Sequence, residues 1–225
     1  MQRILFALLT AAALFAGSAQ GAVVRGTDNR ALAGHDLTDP ENDGNPDAYA
    51  NYNAVFRSSI EPYFGSEGAF NVFDNRVGGG DDKWCCDANG WVEADFGEKR
   101  YQLTSFTIAS GNDAPGRDSD IWQILGSNDG IHYTPIFSYN HDGVSPWGEY
   151  RYQVLEYTAG TDFKLPAAYS IFRYQTFSVV SGIQHQLAEL ELFGREPRAE
   201  VPEPGSLALL GLGLLAVFGL RRKRK

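Results

Sequence analysis

The chain has 225 residues, with 28 acids against 19 Lys and Arg and a net charge of −9 at neutral pH. That balance argues against nucleic acid as a partner, because a phosphate backbone needs a basic surface. The only two cysteines, Cys85 and Cys86, are adjacent, so a framework of several intrachain disulfides is excluded by count. At the start, Met1-Gln2-Arg3 places one positive charge before an apolar run from Ile4 to Phe15, and small residues follow to Gly21. This is the layout of a secretory signal peptide over 1–21, with cleavage near Gly21. The run is shorter than the roughly 20 residues that a membrane-spanning helix needs.

Residues 22–64 are rich in Asp, Asn, Gly and Pro and predict an irregular segment, partly packed on the strand-rich region C-terminal to it. Asp39, Asn42, Asp43, Asn45 and Asp47 lack EF-hand spacing and a closing glutamate, so they read as a solvated loop. From about Phe70 the pattern becomes short runs of aromatic and β-branched residues between Gly, Asn and Asp clusters. It predicts strands over Trp91–Phe96, Leu103–Ala109, Ile121–Gly126, Thr134–Tyr139, Tyr150–Tyr157, Tyr169–Val180 and Leu187–Phe193. Alternation is clearest in the last, where Leu190 and Leu192 point one way and Glu189 and Glu191 the other. Ser127-Asn128-Asp129-Gly130 is a hairpin turn signal. The fold class is therefore all-β, a sandwich of antiparallel sheets.

Beyond a linker at 196–200, Val201-Pro202-Glu203-Pro204-Gly205 opens an apolar stretch that Arg221-Arg222-Lys223-Arg224-Lys225 closes. Those charges hold the C-terminus in the cytoplasm and leave the preceding chain outside. The tail over 201–225 resembles the PEP-CTERM sorting signal of Gram-negative bacteria. The resemblance implies that an exosortase in the inner membrane recognises Val201, Pro202, Glu203 and Pro204. It also implies a transient transmembrane helix, its removal, and delivery to the cell surface or extracellular polymer. Six of the 19 Lys and Arg but only Glu203 of the 28 acids lie in the two ends, which leaves 27 acids against 13 bases between them. That charge is compatible with calcium and with neutral glycans.

Phe73-Asp74-Asn75, Lys83-Trp84-Cys85, Trp91-Val92-Glu93-Ala94-Asp95-Phe96-Gly97 and Leu187-Ala188-Glu189-Leu190-Glu191-Leu192-Phe193-Gly194 occur in this order. Between the third and fourth stands Leu125-Gly126-Ser127-Asn128-Asp129-Gly130 before Tyr133-Thr134-Pro135. Together these segments resemble the discoidin domain, also called the coagulation factor 5/8 type C domain, over 65–195. The resemblance implies a galactose-binding-like jelly roll. Two departures stand out: Asn75 where the family commonly has Gly, and a Gly-rich insertion from Val77 to Asp82. It further implies a structural calcium where the first loop meets the last strand, on the carboxylates of Asp74 and Glu189 and the carbonyls of Phe70 and Ala188, with Asn75 and Asp82 as further ligands. The plain alternative is that Asp74 caps a turn and Glu189 is an exposed strand residue.

Glycan binding needs an aromatic face for sugar C–H groups and a few polar groups for hydroxyls. The loops offer Asn112, Asp113 and Arg117, then His141 and Trp147, then His185, whereas Trp84, Trp91 and Trp122 fall in strands and read as core. Each has a structural alternative: Arg117 as a loop-locking ion pair with Asp118 and Asp120, Trp147 as a sheet-edge cover, His185 as a surface residue. Cys85 and Cys86 form a vicinal bridge, an intermolecular bond or two buried thiols, in a structural role. Nothing resembles a nucleophile elbow, a Walker loop or a zinc-protease helix, so the reading is a non-enzyme. The expected function is polysaccharide recognition at the cell surface or in a biofilm matrix. The alternatives are a matrix protein that binds other proteins and a small secreted hydrolase.

Overall fold

The computed structural model describes residues 22–39, 52–60, 62 and 65–197. The signal peptide, the loop residues Asn42, Asp43, Asn45 and Asp47, and Val201, Pro202, Glu203 and Pro204 with their apolar stretch lie outside the described residues. Among the described residues no helix is long and apolar enough to cross a membrane.

The strands are β1 (Val23–Thr27), β2 (Val55–Ser58), β3 (Trp84–Asp87), β4 (Gly90–Asp95), β5 (Gln102–Ala109), β6 (Ser119–Ser127), β7 (Thr134–Asn140), β8 (Gln153–Thr158), β9 (Ile171–Val179), β10 (Gln184–Leu187) and β11 (Glu189–Arg195). They form a four-stranded sheet in the order β1-β8-β5-β11, a five-stranded sheet β2-β4-β9-β6-β7 and a two-stranded β10-β3 pair. Every pairing within them is antiparallel. The all-β antiparallel sandwich expected from the strand pattern is the observed architecture.

Period-two alternation builds the core. Phe172, Tyr174 and Thr176 of β9 are buried, while Arg173, Gln175 and Phe177 face out. On β6, Trp122 and Ile124 face inward. The interior is an aromatic cluster in which Phe106 stacks on Tyr157 at 5.0 Å and Trp122 stacks on Tyr139 at 5.8 Å. Such pairs add to the burial of large rings, each worth about 2–3 kcal/mol. The β6–β7 turn is built as its residues demand: Asp129 Oδ1 accepts from the amides of Ile131 (2.8 Å) and His132 (2.7 Å). Gly130 there has φ +69°, which glycine adopts without the strain a Cβ would bring.

Three features differ from expectation. The segment expected to be irregular contributes β1 and β2, which pair with β8 and β4. Their pairing comes from backbone ladders, since Val23, Val24 and Val55 are exposed and supply no amphipathic signal. The expected long strand from Leu187 is two strands, β10 and β11, separated at Ala188. Finally, Glu189 and Glu191 do not face water; both are fully buried. The N-terminal segment covers Glu191, which accepts hydrogen bonds from the amides of Ala33 (3.1 Å) and Gly34 (2.6 Å) and from Thr107 Oγ1, while the amide of Arg76 meets Glu189 (3.3 Å). Cys85 and Cys86 are joined in a vicinal disulfide on β3, opposite Gln186 and His185 of β10.

Candidate functional site

Two sites arise where loops meet the sandwich. The first is acidic. A 3₁₀ turn at Ala69–Val72 delivers Asp74, and Asn75 follows at φ +58°, a left-handed conformation that asparagine tolerates better than most residues. Asn75 donates its side-chain amide to Asp39 at 2.9 Å. The backbone N–H of Arg76 is shared by Asp74 Oδ1 (3.1 Å) and Glu189 Oε2 (3.3 Å), so the first loop and the start of β11 do meet. Asp82, from the Gly-rich insertion, stands close enough to Asp74 for the two carboxyls to bear on each other. An open pocket of about 430 Å³ lies over this group, lined by Phe70, Asn71, Asp74, Arg76, Asp81 and Asp82 among others.

Burial, then the charge of Asp82, pushes the Asp74 carboxyl up to about 8. Burial first and then Asp74, Glu191 and Asp36 push Glu189 well above the usual carboxylate range. These are the signatures of buried negative charge that Arg76 offsets only in part. Glu189 Oε1 is buried and has no hydrogen-bond partner, and Asp82 Oδ2 has only Arg76 Nε at 3.5 Å. Among the described residues, the one trio of His, Cys, Asp or Glu whose ligand atoms lie within 4.8 Å of one another is Glu67, Cys85 and Cys86, and those cysteines are bonded to each other. Asp74, Asp82 and Glu189 are thus a more open set, and a hard cation there needs backbone carbonyls as well. The orphaned Glu189 oxygen and the paired aspartates fit an oxygen-seeking cation. Of the expected carbonyl ligands, Phe70 O already accepts from Phe73 N (2.9 Å), and Ala188 precedes Glu189 in the buried β10–β11 link.

The second site is a groove of about 440 Å³ at the loop ends, lined by Pro115, Gly116, Val144, Ser145, Glu149 and Ser181 with Gly143, Gly148 and Val180. Its three loops are stitched together. Ser181 N donates to Gly116 O at 2.8 Å. Buried Asp118 takes both guanidinium nitrogens of Arg151 (2.7 and 2.6 Å) and the Ser145 hydroxyl (2.7 Å). Asp120 accepts from Gly143 N at 2.7 Å. Gly116 and Ser181 approach closely: a Cβ at Gly116 would stand 2.2 Å from Ser181 Oγ, so that hydroxyl would have to rotate away.

The six residues expected to contact a glycan are distributed differently from that expectation. Asn112, Asp113 and Arg117 do not line the groove; Arg117 does lock its loop, but through Asp113 at 2.9 Å, because Asp118 is taken by Arg151 and Asp120 by Gly143 N and Ser178. His141 is exposed beside Tyr139. Trp147 and His185 are corrected: Trp147 is 1% exposed with Nε1 directed at Ile108 O (3.4 Å), and His185 is 0% exposed against Trp84 and Tyr174. Neither offers a face to a ligand. Trp147 is part of the hydrophobic core although its loop joins β7 to β8, and His185 lies within β10 opposite Cys86.

Sequence reasoning missed two constellations. Arg173 is sandwiched between the rings of Trp91 (3.7 Å) and Tyr133 (3.8 Å), and Glu93 accepts from Arg173 and from the Tyr133 hydroxyl. Lys83, buried, reaches Glu67 (3.4 Å), Asn112 (2.6 Å) and Asp113 (3.7 Å). Trp91, read as core, is corrected: it is half-buried on the outer face of β4, because Val92 and Ala94 take the inward positions, and nothing local announces partners 40 to 80 residues away.

Residues 200–224 match the PEP-CTERM protein-sorting motif. That motif implies export and sorting to the cell surface. No curated protein matches the chain. Among solved structures, the chain is similar to a family 32 carbohydrate-binding module from Streptococcus pneumoniae EndoD (10% identity, 63% of this chain and 96% of that one, TM-score 0.49). It is also similar to chitosan-binding module 1 of a chitosanase/glucanase from Paenibacillus sp. IK-5 (14%, 72% and 100%, TM-score 0.49). A third is the family 32 module of Clostridium perfringens NanJ in complex with galactose (16%, 62% and 93%, TM-score 0.46).

Proposed function

We propose that this is a non-catalytic surface protein that binds polysaccharide in the groove between Pro115, Val144 and Ser181, with calcium held by Asp74, Glu189 and Asp82. The observation that carries the reading is the composition of the groove. Pro115, Val144 and Val180 offer apolar surface to sugar C–H groups, while Ser145, Glu149 and Ser181 offer partners to hydroxyls. Hydrogen bonds among the loops hold it open before a ligand arrives, which lowers the ordering cost of binding. Glu149 is the one carboxylate in the lining, which supports binding over a hydrolase built on two opposed carboxylates.

Calcium in the acidic pocket would neutralise the repulsion among Asp74, Asp82 and Glu189 and tie the Gly-rich loop to β11. The producer's own extracellular polymer is the substrate class that export suggests, and an exosortase is the processing partner of the tail. The test is pull-down on a panel of polysaccharides with the wild-type chain and with Glu149→Ala combined with Ser181→Trp. Binding that survives the double substitution, or no binding of the calcium-loaded wild type to any polymer, overturns the groove assignment. Protein partners that co-purify while sugars fail to compete favour the adhesive alternative.

A further inference from the structure

The acidic pocket and the groove share a connecting piece. The Gly78–Asp82 loop bounds the pocket, and its three consecutive glycines have no side chains with which to fix themselves. Glycine loses more backbone freedom on ordering than any other residue, so outside contacts decide how well this loop is held. Those contacts reach its carbonyls. Asn112 Nδ2 donates to Gly80 O (2.9 Å), Tyr152 Oη donates to Gly79 O (3.3 Å) and Asn71 Nδ2 donates to Asp81 O (2.9 Å).

Asn112 is held from its other side as well. Its Oδ1 accepts from Lys83 Nζ at 2.6 Å, and Lys83 also pairs with Glu67 and approaches Asp113. Asp113 in turn holds Arg117, at the far end of the short 3₁₀ turn Pro115–Arg117. That turn supplies Pro115 and Gly116 to the groove. A continuous series of polar contacts therefore runs from the loop beside Asp82 to the rim of the groove, with Asn112 at its centre.

We infer that the pocket and the groove are energetically linked: a divalent cation in the pocket orders Gly78–Asp82, and Asn112 with Lys83 passes that order to the turn at Pro115–Arg117. Calcium then raises affinity for the glycan, and by thermodynamic reciprocity the glycan raises affinity for calcium by the same factor. The inference rests on the calcium and groove assignments above.

Hydrogen exchange on the full chain, in millimolar calcium chloride and in chelator, tests it without a known glycan. Calcium is expected to slow exchange about five- to tenfold in 78–82 and also in 110–117, the lower end of ordinary site-to-site coupling. In Asn112→Ala, the slowing persists in 78–82 and is lost from 110–117. Slowing confined to 78–82 in the wild type overturns the linkage and leaves the calcium site standing. Slowing at 110–117 that survives in Asn112→Ala overturns the route through Asn112. No slowing in either segment overturns the calcium site and the linkage together, while the groove stands or falls on the pull-down alone.

Discussion

Asp118 and Arg151, thirty-three positions apart, meet in a two-pronged ion pair beneath the groove, with N···O distances of 2.7 and 2.6 Å and the carboxylate wholly buried. A carboxylate in such a place is raised by burial and held down by the guanidinium and by the Ser145 hydroxyl. The planar fork of arginine suits both oxygens at once, which a lysine does not.

Arg151→Met therefore leaves a buried, unpaired charge, and a loss of about 3 kcal/mol is expected from denaturant unfolding. Arg151→Lys should recover part of the stability but not the bidentate geometry, so the loops around Ser145 stay looser. A variant as stable as wild type would show that the pair contributes nothing net.

Burial lowers the His185 imidazole from its ordinary value to about 3, with Tyr174 Oη at 2.9 Å from Nε2 as its polar contact. The folded value lies below the unfolded 6.5, so the stability owed to neutral His185 is fully present above pH 6.5. It is lost as pH falls from 6.5 towards 3, by roughly 4–5 kcal/mol at the limit. Asp36 acts in the opposite sense. Burial raises it to about 6, so its contribution is full below 3.8 and is lost as pH rises through 6. Melting curves across this range should show a shallower acid loss for His185→Gln than for wild type; superimposable profiles would contradict the assignment.

Calcium at a hundredfold excess over its dissociation constant contributes about 2.7 kcal/mol of stability, a rise of roughly 5–10 °C in melting temperature for a domain of this size. Asp74→Asn keeps the shape of the side chain and removes its charge, so the rise should shrink or vanish while the chelated protein melts no lower. An unchanged wild-type melt on adding calcium sinks Asp74 and Glu189 as ligands.

Gly126 sits against the ring of Tyr169, and a Cβ there would stand 2.2 Å from Cδ2 and 2.6 Å from Cγ. Gly126→Ala is expected to destabilise by about 1–3 kcal/mol through overpacking. In a Tyr169→Ala background the same change should cost clearly less, because the two sites share one contact. Equal costs in both backgrounds would place the strain elsewhere.

The sorting motif, the acidic charge, the β-strand pattern and the Ser127–Gly130 turn were legible in the chain alone, because each rests on composition or on neighbours a few residues apart. Trp84 and Trp122 were likewise legible as core from their strand-like surroundings, and both are buried, whereas Trp91 lies on the outer face of β4. What the tertiary structure decided lies across long separations. Glu189 and Glu191 read as solvent-facing until distant chain covers them: the segment around Ala33 and Gly34 caps Glu191, more than 150 residues away in sequence, and the loop at Arg76 meets Glu189. Trp147 and His185 read as loop residues able to meet a ligand, and only the closing of the sandwich makes them interior. The groove itself is made by Pro115, Ser145 and Ser181, none of which carries a local signal. Periodicity records which face of a strand is apolar, but which chain arrives to cover the other face is settled by packing and by the need to satisfy every buried polar group.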